Sequence, residues 1–583
     1  MKKMPLALVL AALALPAAAA QEGGQVVGGS ATISQPDATT TRIDQFSDRA
    51  VINWQDFSIP AGSLVQFLQP SSSAVALNRV VGGVPSNILG TLEANGNVFL
   101  LNPNGILFGA GSVVNVHGLM ATTLGLSDAD FMNGNYHLLQ DPSQPLSYVV
   151  NQGTIDGAWV ALVAPLAVNG GTISTPAGDI FIAGTTEAIL DISGDRMLGL
   201  SIGNVAGGTV NISADAINDV IRAVVNHEGL VEAGKIVKDG DTYYLVGAGG
   251  TAINSGSLSA AGGSVNLNSS NATVSTNQSK INVDGIDGDA GDVYILGQDD
   301  TYFGGSVTAR GGTSGDGGFV EASAANNIYV FGKVNTSAAN GSAGTFLIDP
   351  DFLIITDGAD GTGDWDGTST ILSTDANSGG NTISRGYLES ISGDTDIFLQ
   401  AKYYIEIGDM AGGFINLQTG AIESKVSGAF TFTLETTDPS GAGIYFVDPT
   451  DTITTDGGNI VFNSASNIIS GNLDTTSGGL FSTGSITLSA GSDLVAGTTT
   501  ISSDINYIDV SGRTLTAGEN VTLTAGGDFD ITGTLTISAG ANYIHAYGAT
   551  ITAETGAITM TAGGDFTATG YIVNGAGDCV NYI

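Results

Sequence analysis

The chain has 583 residues, of which 85 are glycine, about double the usual share of roughly 7%. Hydrophobic residues reach 42%, too rich in valine and isoleucine for a disordered chain, and with 14 prolines it is not collagen. Only 12% of residues are charged, and the formal net charge of −40 disfavours nucleic acid and anionic membranes as partners.

In chain order, the first feature is a leader. Lys2 and Lys3 precede an apolar stretch, Leu6 to Leu15, that is too short to span a membrane. Ala18 and Ala20 then form a small-x-small site, so residues 1–20 read as a secretory signal peptide cut before Gln21. No later stretch reads as a transmembrane helix. The single cysteine, Cys579, allows no internal disulfide, so stability must come from repetitive packing. A chain without early cross-links can also be threaded through a pore. An intermolecular link through Cys579 stays open.

After residue 20 the sequence reads as one short strand after another. Asn-Gly pairs at 95–96, 104–105, 133–134, 169–170 and 340–341 punctuate it as tight turns using positive φ. Helical periodicity is nearly absent, with Ser213 to Val225 the best exception.

The spacing of echoes gives the arrangement. Asn151-Gln-Gly153-Thr-Ile155 returns 18 residues later as Asn169-Gly-Gly171-Thr-Ile173, with looser copies at Asn226–Leu230 and Asn254–Leu258. Segments at Ser485, Val521 and Ile558 recur at 35 to 37 residues. A period near 18, or twice that, predicts coils of a parallel β-helix, an all-β solenoid. At about 4.8 Å per strand, such a rod would be roughly 130 Å long. An array of β-sandwiches is the alternative, but it calls for longer strands and fewer glycines. A composition shift after Leu347-Ile-Asp-Pro350, followed by the acidic loop Asp357 to Asp366, predicts a boundary near residue 350.

The most specific segment is Leu100-Leu-Asn102-Pro103-Asn104-Gly105-Ile106-Leu-Phe108-Gly109. Proline fixes φ and Asn-Gly allows two positive-φ residues, which together predict a rigid turn between apolar strands. Around it lie Val51-Ile-Asn-Trp54-Gln-Asp-Phe57-Ser-Ile59, Asn78-Arg79-Val80, Ile88-Leu-Gly90-Thr-Leu92, Ala94-Asn-Gly-Asn-Val98-Phe99-Leu100, Gly111 to Leu119 and Ala121-Thr-Thr-Leu124. In this order, and closely over residues 25–135, the block resembles the N-terminal secretion domain of filamentous-haemagglutinin-like exoproteins, the passengers of two-partner secretion. Fainter likeness continues through Gly317–Glu321 and Gly344–Pro350. A second Asn-Pro-Asn-Leu motif, present in some members, is not found.

The resemblance implies a right-handed parallel β-helix with an N-terminal secretion domain. It implies a two-partner secretion and haemagglutination activity domain over 21–265, a β-helix continuation over 266–350 and a repetitive β-solenoid over 351–583. It further implies an outer-membrane β-barrel partner with periplasmic docking domains, and a product secreted by way of the periplasm to the surface of a Gram-negative cell. Asn102, Pro103, Asn104, Gly105 and Ile106 are the candidates for secretion recognition. Trp54, Phe57, Phe99 and Phe108 are the candidates for the domain's core.

Catalytic signals are weak. His117, His137, His227 and His545 lie far apart with no metal-ligand spacing, and no nucleophile triad can be assembled, so the expectation is a non-enzyme without cofactor or metal. Asp284 to Asp292 and Asp357 to Asp366 bring carboxylates close, but neither forms a calcium β-roll or an EF-hand, and both read as solvated turns. The resulting reading is a secreted adhesin or haemagglutinin, with a host or neighbouring-cell receptor or glycan as its target. A β-helix polysaccharide-active enzyme is the alternative, favoured if a groove gathers carboxylates with one basic residue. A contact-dependent toxin carrier lacking its toxin end is another. A self-contained autotransporter would need a C-terminal membrane barrel, and no such alternating, aromatic-flanked run is read there.

Overall fold

The structure is a computed structural model. It describes residues 21–190, 249–358, 381–391, 395–417 and 431–474 (except 449 and 456–457), strands within 210–245, and strands from residue 486 onward. The expected signal peptide and the helix-like Ser213–Val225 lie outside the described residues.

Alternation builds the walls. In Thr40–Gln45, Phe319–Ala324 and Thr431–Thr436, every second residue is buried and its neighbours are half-exposed. Period-two patterning of this kind puts one row of side chains inside and one outside. The chain visits three walls in turn and then stacks on itself. On the first wall, Val75–Val80, Asn97–Leu101, Gly118–Thr122, Trp159–Ala164, Ile180–Gly184 and Val265–Ser269 pair in parallel. The second wall is an eight-stranded sheet starting at Ser86–Ile88, and the third an eleven-stranded one. Isoleucine, valine, leucine and phenylalanine fill the lumen as one continuous core from Ile43 to Leu488. This is a parallel β-helix, as the sequence predicted.

The coil length differs from the predicted one. Thr154 pairs with Thr172, a step of 18 residues. But Thr91 pairs with Val113, a step of 22, and Val265 with Val293, a step of 28. Near the C-terminus Ile486 pairs with Ile508, a step of 22. The look-alike segments at Ile486, Val521 and Ile558 therefore do not stack on each other; Ile558 pairs with Leu535. The loops between walls set the period, and they vary while the strands do not. On the second wall the eight-stranded sheet is followed by a nine-stranded one. At about 4.8 Å per strand this gives a rod of about 85 Å rather than 130 Å.

The N-terminal end is capped. Gln25–Gly28 lies antiparallel to Arg49–Trp54, and Ala31–Ser34 antiparallel to Thr40–Gln45, which covers the edge of the first coil.

Two excursions leave the coils. The first carries a helix, α1 (Asp128–Asn133), and the strand Tyr136–Leu139. Ser127 caps α1 by accepting from the Asp130 N–H, and Gly134 closes it at φ +79°. So Asn133-Gly134, read as a strand turn, is a helix end. The second excursion begins at Glu187–Leu190, which pairs antiparallel with Tyr136–Leu139. The coil then resumes at Thr251, because Leu166–Asn169 stacks directly under Thr251–Asn254. The looser echo at Asn226–Leu230 lies outside the described residues. Together the excursions lay a second core over the outside of the first wall, formed by Phe99, Met120, Phe131, Tyr136, Leu138, Val163 and Phe181 among others.

The stack is locked near its middle. The strand Thr382–Ser384 pairs beneath Phe352–Thr356, out of chain order. Asn381, buried and at φ +65°, donates from its N–H to the Ile328 carbonyl and accepts from the Ile328 N–H through Oδ1. Its own carbonyl accepts from the Ile354 N–H. One residue thus sews the eight-stranded sheet to the nine-stranded one. A second short helix, α2 (Arg385–Ser390), follows, and its Tyr387 hydroxyl donates to the Gly332 carbonyl at 2.7 Å.

Candidate functional site

The Asn102–Ile106 turn joins the first wall to the second. The Gly105 N–H donates to the Asn102 carbonyl, closing a four-residue turn with Pro103 at its second position. Asn102 is fully buried. Its Nδ2 donates to the Val84 carbonyl (2.9 Å) and Ser86 Oγ (3.0 Å), while its Oδ1 accepts from the Asn104 N–H (2.9 Å). Asn104 Nδ2 donates to the Gly82 carbonyl at 2.9 Å. Only Gly105 takes a positive φ, +116°; Asn104 does not. That corrects the expected pair of positive-φ residues. Asn104 is there for its amide, which ties the turn to the segment Gly82–Ser86 of the preceding coil. Gly105 and Ile106 are buried as well, leaving Pro103 and Asn104 half-exposed. Beside the turn, Val81, Val84 and Leu89 are 51%, 47% and 41% exposed.

The four aromatic candidates divide between two cores. Trp54 and Phe57 meet edge-to-face at 5.3 Å inside the lumen, and Trp54 Nε1 donates to Asn78 Oδ1 at 3.0 Å. Phe108 lies in the same lumen. Phe99 points the other way, into the outer core, where its ring meets Tyr136, Phe131 and Trp159 edge-on.

Other polar groups are assembled that the sequence did not reveal as a unit. Asn151, Asn169 and Asn254 are fully buried and stack as a ladder: Asn151 Nδ2 donates to Asn169 Oδ1 (2.8 Å), and Asn169 Nδ2 to Asn254 Oδ1 (2.9 Å). Their shared Asn-x-Gly spelling was the available signal. The acidic stretch at Asp284–Asp292 is engaged rather than simply solvated. Asp284 binds Arg310 at 2.6 Å, and Asp289 and Asp292 accept from the N–H groups of Asp316 and Phe319. Asp357 faces Arg385 at 3.4 Å, and the loop after residue 358 lies outside the described residues. Asp409, Asp448 and Asp451 converge within 4.8 Å, a grouping not expected from the sequence. Burial, more than the nearby carboxylates, raises the pKa of Asp451, whose Oδ2 accepts from the Met410 N–H. His137 Nε2 contacts Glu187 Oε1 at 2.8 Å, tying the two excursions together. His117 is exposed.

A groove of about 650 Å³ runs along the corner between the first and second walls. Its lining includes Gln298, Glu321, Ser323, Asp349, Asp351, Gln400 and Lys402. Burial pushes the Asp349 carboxyl up to about 6, aided by the negative charges of Glu321, Asp351 and Glu435. Carboxylates with one basic residue are the grouping that favours a polysaccharide-active site on such a fold.

Residues 17–260 match the TPS secretion domain, TPS standing for two-partner secretion. A heme/hemopexin-binding protein of Haemophilus influenzae is 44% identical over 112 residues, which is 19% of this chain and 12% of that protein. A protein of the same description from another strain is 32% identical over 223 residues, 37% of this chain and 23% of that one. The chain thus spans less than a quarter of the length of these relatives. The solved HMW1 secretion domain of Haemophilus influenzae aligns at 20% identity and a TM-score of 0.41, covering 85% of this chain and 95% of that one. On the family match, residues 17–260 form a two-partner-secretion domain at the N-terminal end of the chain.

Proposed function

We propose that an outer-membrane β-barrel transporter with periplasmic docking domains reads the N-terminal domain, and that the chain threads through it unfolded. The coils then stack outside, and the finished rod serves at the cell surface as an adhesin of the haemagglutinin kind. The match over residues 17–260 carries this reading. A wall strand has no partner until the next coil arrives, so each coil gained at the outer face is hard to pull back. That supports stepwise folding as the source of outward bias where no ATP is available.

Within the domain, Asn102–Ile106 is proposed as the recognition element. The geometry favours an indirect role: the two asparagine amides hold Gly82–Ser86, and with it the exposed Val81 and Val84, in one conformation. The test is secretion of the full chain, co-expressed with its transporter, carrying Asn102→Ala or Asn104→Ala. Secretion should fall at least tenfold, and refolding of the purified variants should tell recognition from stability. Wild-type secretion of both variants removes the turn from the mechanism.

The names of the two relatives support a second reading, haem or hemopexin binding. Titrating the purified chain with haem and following the Soret band tests it; an unshifted band rules out haem.

A further inference from the structure

We propose that the corner groove between the first and second walls binds an uncharged oligosaccharide laid along the rod axis, with Asp349 at its centre. This deepens the adhesin reading and rests on it for the source of the glycan.

The groove floor is a register-locked row. Asn268 pairs with Leu296, Leu296 with Ser323, and Ser323 with Asp349. Gln400 follows Asp349 one residue past the paired Ile348 and Leu399, and then pairs with Glu435. These side chains project outward, one from each successive coil, because their strand neighbours point into the lumen. Past Leu296 the row is polar at every coil, from Ser323 to Glu435, and its spacing of about 4.8 Å suits a polymer whose unit is near that length. A pyranose is such a unit, and its vicinal hydroxyls can pair with planar carboxylates and amides.

Most of the row is already oriented. Ser323 Oγ donates to Glu321 Oε1 at 2.6 Å, and Gln400 Nε2 donates to Glu435 Oε1 at 2.5 Å. Asn463 Nδ2 holds the other Glu435 oxygen at 2.8 Å. Among the described residues the Asp349 carboxylate has no hydrogen-bond partner, although it is half-buried at the centre of the row. A half-buried carboxylate without a donor gains from one brought by a ligand.

Charge narrows the class. Glu321, Asp349, Asp351 and the adjoining Glu435 outnumber Lys402, so uronates, sialylated and phosphorylated glycans are repelled. Around the corner Phe352 and Tyr404 stack at 5.3 Å, a half-exposed aromatic face of the kind that packs against sugar C–H groups.

The experiment uses the purified full chain. Hexasaccharides of glucose in α-1,4, β-1,4 and β-1,3 linkage, of N-acetylglucosamine and of galacturonate are titrated by calorimetry. The expected result is saturable binding of at least one uncharged hexamer and none of galacturonate. Asp349→Leu and, on the exposed rim, Lys402→Glu should each weaken that binding tenfold or more with unchanged circular dichroism. Absence of binding by every uncharged hexamer, or binding that both variants leave intact, overturns the proposal. Release of reducing ends on incubation also overturns it, because the groove would then be hydrolytic. Adhesion of the wild-type chain to cells is scored separately. Hexamer binding without cell adhesion leaves the groove standing and removes the adhesin reading; adhesion without hexamer binding does the reverse.

Discussion

Gly105 is held by two constraints at once. Its φ of +116° is a conformation that side chains with a Cβ rarely adopt, and a Cβ built there would lie 2.7 Å from the Tyr148 ring. Gly105→Ala should therefore cost about 2–3 kcal/mol locally. Hydrogen exchange over residues 84–108 should speed up, while exchange near residue 300 stays unchanged. The buried asparagine ladder sets a similar constraint on neighbouring coils. Asn169→Ala leaves the Asn151 amide without its acceptor and Asn254 without its donor, at a cost of about 1–3 kcal/mol. Asp349 gives a pH dependence. Its carboxyl is raised to about 6 in the fold from an unfolded value of 3.8. Its contribution to stability is thus full below pH 4 and is lost as pH rises through 6. Asp349→Asn should abolish that loss and stabilise the protein at pH 7 by about 1 kcal/mol, once solvent screening of this half-exposed group is allowed for. Denaturant midpoints of the two proteins at pH 3 and pH 7.5 check the sign: the gap between them should open only at the higher pH.

At the scale of elements, the strands were legible and their partners only partly so. Alternation of apolar and polar residues located strands such as Ile486–Ala490, because period two is a local property of the chain. Stacking register is set by loops, and loops of variable length erase any fixed period. The 18-residue echo held because Asn151 and Asn169 occupy the same position in adjacent coils. The 35–37-residue echo joined strands that are not neighbours, because all wall strands have similar patterning. The groove was invisible for the same reason: Ser323, Asp349, Gln400 and Glu435 are irregularly spaced in sequence and meet only through register. Helix α1 was missed because six residues carry too little periodicity, although Ser127 and Gly134 are ordinary cap residues. The excursion that α1 opens is needed to cover Phe99. Phe131 is fully buried and meets the Phe99 ring at 5.9 Å. Phe131→Ala should cost about 3–5 kcal/mol. Binding of a hydrophobic dye should rise, since the outer side of the first wall would lose its cover.

The molecule as a whole is a one-dimensional stack, and its net charge acts along that axis. A formal charge of −40 spread over a rod of about 85 Å puts many like charges within reach of each other when salt is low. At about 10 mM salt the screening length is roughly 30 Å, so each coil feels several others. At about 150 mM it falls to roughly 8 Å, less than two coil spacings, and only adjacent coils still interact. The rod should therefore gain stability steeply between 10 and about 150 mM sodium chloride and only slightly beyond. Ion pairs such as Arg310 with Asp284 run against this trend, but they are few beside the excess of carboxylates. Because neighbouring coils unfold as coupled local units, the gain should appear as a shift of every transition in a urea profile rather than of a single one. A profile that is flat between 10 and 150 mM would mean that the carboxylates are already compensated and that the net charge does not weaken the stack.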